Sequence, residues 1–250
     1  MNRSPSAQNE SEGIGVLIKT TLVDFPETVA CSFFLRGCNM HCPYCYNTEL
    51  VAGSGNGSLS TKEELFAYLE KRKNVLHGLA VSGGEALLSP HLTEILSRAK
   101  KLGYKTKLDT NGMLPETLLA VIENKDARPD FIALDLKTAP SRYAEELFQD
   151  GTSAAAKNAA QKLLQSVEII SNYPASQREF RTVLVPRLVE ENDLQEIARI
   201  LPADASWMLA PFQNGNCLSG TFSSLPPYSD ARLNELTAFA KQFIPGAQLR

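Results

Sequence analysis

The stretch Leu35–Asn47, LRGCNMHCPYCYN, carries Cys38, Cys42 and Cys45 at a C-x3-C-x2-C spacing, three of the five cysteines in the chain. Disulfide frameworks use cysteines in pairs spread along a short secreted chain, so a cluster this tight reads as a metal site. Structural zinc needs a closed fourth ligand from a second C-x2-C or a His pair, and none follows. His41 lies between two of the cysteines, and His77 and His91 have no partner at ligand spacing. Three soft thiolates suit an iron–sulfur cluster with one iron left open for a substrate or cofactor.

The cluster directly follows an apolar, β-branched run, Val29–Leu35, the first of six such runs. The others are Leu79–Ser82, Tyr104–Asp109, Phe131–Leu136, Phe180–Val185 and Trp207–Ala210, and all read as strands. Helical patterns fall between them. One carries Leu65 and Leu69 behind a capping box of Ser60 with Glu63. A second starts at Ser89-Pro90 and sets Leu92, Ile95, Leu96, Ala99 and Leu102 on one face. Others cover Glu116–Glu123, Ala154–Ile170, Asp193–Leu201 and Asp230–Phe243. Strands separated by helices of this length need crossover connections and so form a parallel sheet. The expected fold is α/β, a partial (β/α)6 TIM-like barrel with its function on the loops at the carboxyl ends of the strands.

Residues 1–13 are polar, without apolar periodicity, and read as a flexible tail ahead of one domain over 14–250. Ala52–Ser58, AGSGNGS, reads as a flexible loop after the cysteines. With 250 residues, 43% of them hydrophobic, the chain can bury a full core. A net charge of -3 without a Lys/Arg cluster argues against nucleic-acid or anionic-membrane partners. No apolar run spans a bilayer and the N-terminus has no apolar signal core, which places the protein in the cytoplasm.

These residues resemble the radical S-adenosylmethionine (SAM) superfamily, whose hallmark is C-x3-C-x2-C after the first barrel strand. The second hallmark is present one βα unit later, in Ser82-Gly83-Gly84-Glu85, similar to the family's GGE motif. Within the superfamily, Asp24-Phe25-Pro26, Leu108–Gly112, Asp135-Leu136-Lys137 and Phe180–Pro186 resemble the glycyl-radical-enzyme activases. The segment Pro211–Leu218 resembles one found in the anaerobic ribonucleoside-triphosphate reductase activating proteins. The resemblance implies a 4Fe-4S cluster on Cys38, Cys42 and Cys45 that delivers one electron to SAM, and a 5′-deoxyadenosyl radical that takes a hydrogen from a glycine of a glycyl radical enzyme, here an anaerobic ribonucleotide reductase. It implies that Ser82, Gly83, Gly84 and Glu85 hold the methionyl amino group. It also matches Asp109, Thr110 and Asp135 to a monovalent-cation site beside the cofactor carboxylate.

Other positions stay open on sequence alone. Asp109 and Asp135 either cap the following helices or converge on a cation. Lys137 neutralises the cofactor carboxylate or is a solvated loop lysine. Arg181, a charge inside a β-branched strand, faces the cavity and touches SAM. Tyr44 and Tyr46 shield the cluster, stack on adenine, or pack. Trp207, Met113 and His91 read as structural. Two leftover cysteines, Cys31 and Cys217, are too few for a second cluster, so electrons must come from a flavodoxin- or ferredoxin-type donor. A radical SAM enzyme for a small molecule, and a non-catalytic iron–sulfur or zinc module, are the competing readings.

Overall fold

A computed structural model of the chain describes residues 12–52 and 59–250. Residues 1–11 of the expected tail and 53–58 of the expected loop lie outside these. Eight strands form one sheet in sequence order: β1 (Gly15–Thr21), β2 (Ala30–Leu35), β3 (Gly78–Gly83), β4 (Lys105–Thr110), β5 (Phe131–Asp135), β6 (Arg178–Leu184), β7 (Trp207–Pro211) and β8 (Ala247–Leu249). From β2 onward all pairs are parallel, and β1 runs antiparallel to β2. A helix makes each parallel return: α1 (Lys62–Arg72), α2 (Leu92–Lys101), α3 (Pro115–Glu123), α4 (Ala159–Ser171), α5 (Glu191–Ile200) and α6 (Asp230–Lys241). The apolar stripe expected on α2 is observed, with Leu92, Ile95, Leu96 and Ala99 buried.

Among the described residues β1 and β8 each have a single strand neighbour, so the sheet does not close. It does wrap. Ser32, Ala80, Asp109, Asp135, Arg181 and Ala210, from six successive strands, line one cavity. Laid flat at about 4.8 Å per strand, the outer two would stand about 24 Å apart. The six strands β2–β7 are the six expected from sequence, and the partial barrel is the expected one. Trp207 is fully buried, its indole N–H donating to Thr182 Oγ1 at 3.0 Å, which gives it the structural role assigned from sequence.

Local readings need correction in four places. The box at the start of α1 is Thr61 with Glu64, through Glu64 N to Thr61 Oγ1 (3.1 Å) and Thr61 N to Glu64 Oε2 (2.9 Å). Ser60 is unavailable because it pairs as a bridge with Gly15. Ser89 does not cap α2 directly: its hydroxyl accepts from His91 N at 3.3 Å in the turn before the helix, and His91 takes the cap position. The segment Ala154–Ile170 breaks into Ala154–Lys157 and α4, with Asn158 at non-helical angles between them. Neither edge strand was expected, because Ile18, Lys19 and Thr20 of β1 are exposed in a row and β8 has only three residues, so neither presents a clean alternation.

Candidate active site

The cysteine loop leaves the end of β2 and is seated on the end of β3, its neighbour in the sheet. Gly84 N donates to Leu35 O (3.0 Å) and Glu85 N to Gly37 O (2.8 Å). A Cβ on Gly83 would stand 2.0 Å from Leu35 O, and one on Gly84 would stand 2.1 Å from Gly37 O. The two glycines therefore let one backbone lie flush against another. Elsewhere the loop is tied by His41 N to Leu147 O (2.8 Å), Leu218 N to Cys45 O (2.8 Å) and Ser219 N to Pro43 O (2.9 Å). Asn111 Nδ2 donates to Asn39 Oδ1 at 2.8 Å and lies 3.9 Å from Cys38 Sγ. Burial pushes the Cys42 thiol up to about 12 and raises Cys38 as well, so metal loading, which takes thiolates, has to release protons.

Glu85 is buried at 2% exposure. Its Oε1 accepts from Leu87 N (3.0 Å) and Thr110 Oγ1 (2.9 Å), and its Oε2 from Asn111 N (2.7 Å). The carboxyl group thus braces the end of β3 to the end of β4. Desolvation lifts its pKa to about 7, against the hydrogen bonds from Asn111, Leu87 and Thr110.

Beside the cysteines lies a network of six charges. Asp135 on β5 and Arg181 on β6 are register partners, and Arg181 Nε donates to Asp135 Oδ1 at 2.7 Å. The same guanidinium reaches Asp109 Oδ2 at 3.1 Å. Lys137 Nζ bonds Asp135 Oδ2 at 3.3 Å, and Lys107 Nζ bonds Asp109 Oδ1. Glu179 Oε1 stands 3.6 Å from Lys107 Nζ and 3.9 Å from Arg181 Nη1. Burial alone would raise both aspartates, yet Arg181 together with Lys137 holds Asp135, and Arg181 with Lys107 holds Asp109, below the usual carboxylate range.

A cavity of about 400 Å³ is lined by Glu85, Asp109, Asp135, Lys137 and Arg181, with Lys107 and Glu179 outside its lining. Its walls include every candidate drawn from sequence: Cys38, Cys42, Tyr44, Cys45, Ser82, Gly83, Gly84, Glu85, Asp109, Thr110, Asp135, Lys137 and Arg181. Tyr44 is buried and Tyr46 is 61% exposed. Thr110 does not join the two aspartates, since its hydroxyl is turned to Glu85. Sequence reasoning missed Asn111, Lys107 and Glu179. The signal for the last two was present: Lys107 and Asp109, like Glu179 and Arg181, are two apart on one strand and so share a face. Asp24 also lines the cavity and accepts from Ser32 Oγ at 2.5 Å.

The family model described as the Radical SAM superfamily matches residues 32–198, and the chain belongs to that superfamily. It is a radical SAM enzyme. Among its relatives, the Methanocaldococcus jannaschii protein named "Putative glycyl-radical enzyme activating enzyme" is 30% identical over 237 residues, 94% of each chain. Pyruvate formate-lyase-activating enzyme of Clostridium pasteurianum is 34% identical over 121 residues, 46% of this chain and 48% of that one. Solved structures with the same fold include TYW1 with a lysine-pyruvate adduct bound (TM-score 0.58, 13% identity, 86% of this chain and 74% of that one). Another is Streptococcus suis SuiB bound to S-adenosylmethionine (TM-score 0.56, 14% identity, 85% and 47%).

The superfamily implies a 4Fe-4S cluster and SAM, and the donor set fits both. Three thiols from one loop line a cavity that is also lined by carboxylates and cations.

The raised pKa of Glu85 gives a signed expectation. A carboxyl whose folded pKa of about 7 lies above its unfolded 4.5 stabilises the fold fully below pH 4.5, and that contribution is lost as pH rises through 7. Chemical denaturation of the cluster-free protein should show Glu85→Gln gaining on the parent by on the order of 2–3 kcal/mol between pH 5 and pH 8. A difference that does not change with pH would mean that Glu85 titrates normally.

Proposed function

We propose that the protein is a glycyl-radical activase whose substrate is another protein, an anaerobic ribonucleotide reductase, and that it works in the cytoplasm. The observation that carries the reading is the relative matched over 94% of both chains and named for activating a glycyl radical enzyme. The match to pyruvate formate-lyase-activating enzyme supports the same class. The ribonucleotide reductase partner rests on the resemblance of the segment Pro211–Leu218, whose last residue, Leu218, hydrogen-bonds Cys45 O of the cysteine loop.

Cys38, Cys42 and Cys45, which line the cavity, would hold the cluster through three thiolates and leave one iron without a cysteine ligand. When bound, the cluster and SAM supply one-electron chemistry that ends in removal of a hydrogen atom from an unactivated carbon. The chain's own residues bind, orient and exclude. Ser82, Gly83, Gly84 and Glu85 form the edge that receives the methionyl amino group, and the negative charge Glu85 carries above pH 7 suits an ammonium. Arg181 and Lys137, on the cavity wall with permanent charge, take the cofactor carboxylate. Tyr44, buried two residues after Cys42, screens the cluster from water. Electrons come from a flavodoxin- or ferredoxin-type donor, because Cys31 is sealed in β2 and Cys217 stands alone, too few for a relay cluster.

Incubated anaerobically with SAM, reductant and the anaerobic ribonucleotide reductase of the same cell, the protein should raise a glycyl-type doublet in the partner's electron paramagnetic resonance spectrum. The doublet should vanish when the partner's radical-site glycine is replaced by alanine. Formation of 5′-deoxyadenosine without a doublet on any glycyl radical enzyme of that cell would move the assignment to a small-molecule substrate.

A further inference from the structure

We infer that Lys107 is a built-in counter-cation. It positions Asp109 and Arg181 for the cofactor and makes cofactor binding indifferent to potassium or sodium. The inference rests on the SAM-binding part of the function proposed above.

The aspartates, the matched place for a monovalent cation, do not fit one here. A hard cation needs converging oxygen lone pairs. Of the four carboxylate oxygens, Asp109 Oδ1 faces Lys107, Asp109 Oδ2 and Asp135 Oδ1 face Arg181, and Asp135 Oδ2 faces Lys137. Thr110 Oγ1, the third expected donor, bonds Glu85 instead. A metal ion entering here would sit between an ammonium and a guanidinium, and that repulsion would be strongest in a buried setting.

Lys107 differs from the other two cations. Arg181 and Lys137 line the cavity and are within reach of a ligand, whereas Lys107 is fully buried and lies beneath the lining. Its charge is spent on protein groups alone: Asp109, Glu179, and the face of Phe131 with its centroid 5.9 Å away. The sheet makes room for it. Asp109 and Glu179 lie in one row across the sheet with Ala133 between them, and the small Ala133 side chain leaves a gap that the ammonium fills. Glu179 Oε1 has no hydrogen-bond partner, so it serves by charge, balancing three cations with a third carboxylate. Held between Lys107 and Arg181, Asp109 cannot rotate, and the guanidinium it anchors keeps facing the cavity.

The test is anaerobic equilibrium binding of SAM to cluster-reconstituted protein in potassium, sodium or tetramethylammonium salts at equal ionic strength. The parent should bind equally in all three. The double variant Lys107→Met/Glu179→Gln keeps the network neutral and so avoids an uncompensated buried charge. It should keep its iron and its circular dichroism, bind about tenfold more weakly in tetramethylammonium, and recover in potassium or sodium, which can enter the vacated room. Loss of parent affinity in tetramethylammonium would overturn the inference. So would a folded double variant that binds normally there, or one that no cation restores. Failure of the parent to bind SAM in any salt would overturn the function proposed above together with this inference, whereas a salt effect alone leaves that function standing.

Discussion

Replacing Cys42 by alanine should take the reconstituted protein from about four irons per chain to almost none, and abolish reductive cleavage of SAM under dithionite. A three-cysteine site has no spare anchor. The three thiols come from one short loop, so the remaining two cannot close around a cubane without moving a backbone that is pinned at His41, Pro43, Cys45 and Glu85. Cys38→Ala and Cys45→Ala should behave alike. Cys31→Ala and Cys217→Ala provide the contrast. Cys31 is wholly buried in β2, its thiol 4.0 Å from Gly78 O, and Cys217 is buried in the hydrophobic core. Each should cost only about 1 kcal/mol of packing and retain its iron. Visible absorption, iron and sulfide content, and 5′-deoxyadenosine yield read the outcome. A Cys42→Ala protein that still cleaves SAM would show that the ligands are misassigned.

The barrel strands and their site residues were legible in sequence for one physical reason. Strands that cross a barrel wall are short, apolar and β-branched, and a functional side chain at a carboxyl end interrupts that pattern visibly, as Asp109, Asp135 and Arg181 do. Spacing sufficed for the cysteines because a loop ligand set is local. What sequence concealed was pairing. Nothing in the order of residues says that Glu85 spends both oxygens on Leu87, Thr110 and Asn111, or that Arg181 spans two strands to bind Asp109 and Asp135 at once. Lys107 and Glu179 were overlooked because each lies two residues before Asp109 or Arg181 on its strand, away from the carboxyl ends where site residues are sought. Only the three-dimensional row with Ala133 shows that these two compensate each other in the interior.

The glycines of the Gly83-Gly84 pair should prove nearly as indispensable as the cysteines, although no ligand role is needed to explain it. Gly83 has φ +138°, a conformation L side chains avoid, and an alanine Cβ there would stand 2.0 Å from Leu35 O and 2.5 Å from Leu35 N. At Gly84 the Cβ would meet Gly37 O at 2.1 Å and Cys38 Cβ at 3.1 Å. Both collisions are with backbone, which cannot swing aside as a side-chain tip can. Overpacking and backbone strain together put the cost of Gly83→Ala at roughly 3–5 kcal/mol, a large share of the stability of an ordinary domain. Gly103 separates the two contributions. Its φ is +91° and an alanine Cβ there would meet no atom within 4 Å, so Gly103→Ala should cost only the strain, about 1 kcal/mol. Thermal unfolding of the cluster-free proteins should therefore rank Gly83→Ala far below Gly103→Ala. Gly84→Ala, which pushes on Cys38, should lose iron faster than it loses stability, because the cysteine loop can relieve the collision only by lifting off β3. Full iron content and an unchanged Tm in Gly84→Ala would show that the loop is not seated on β3 in this way.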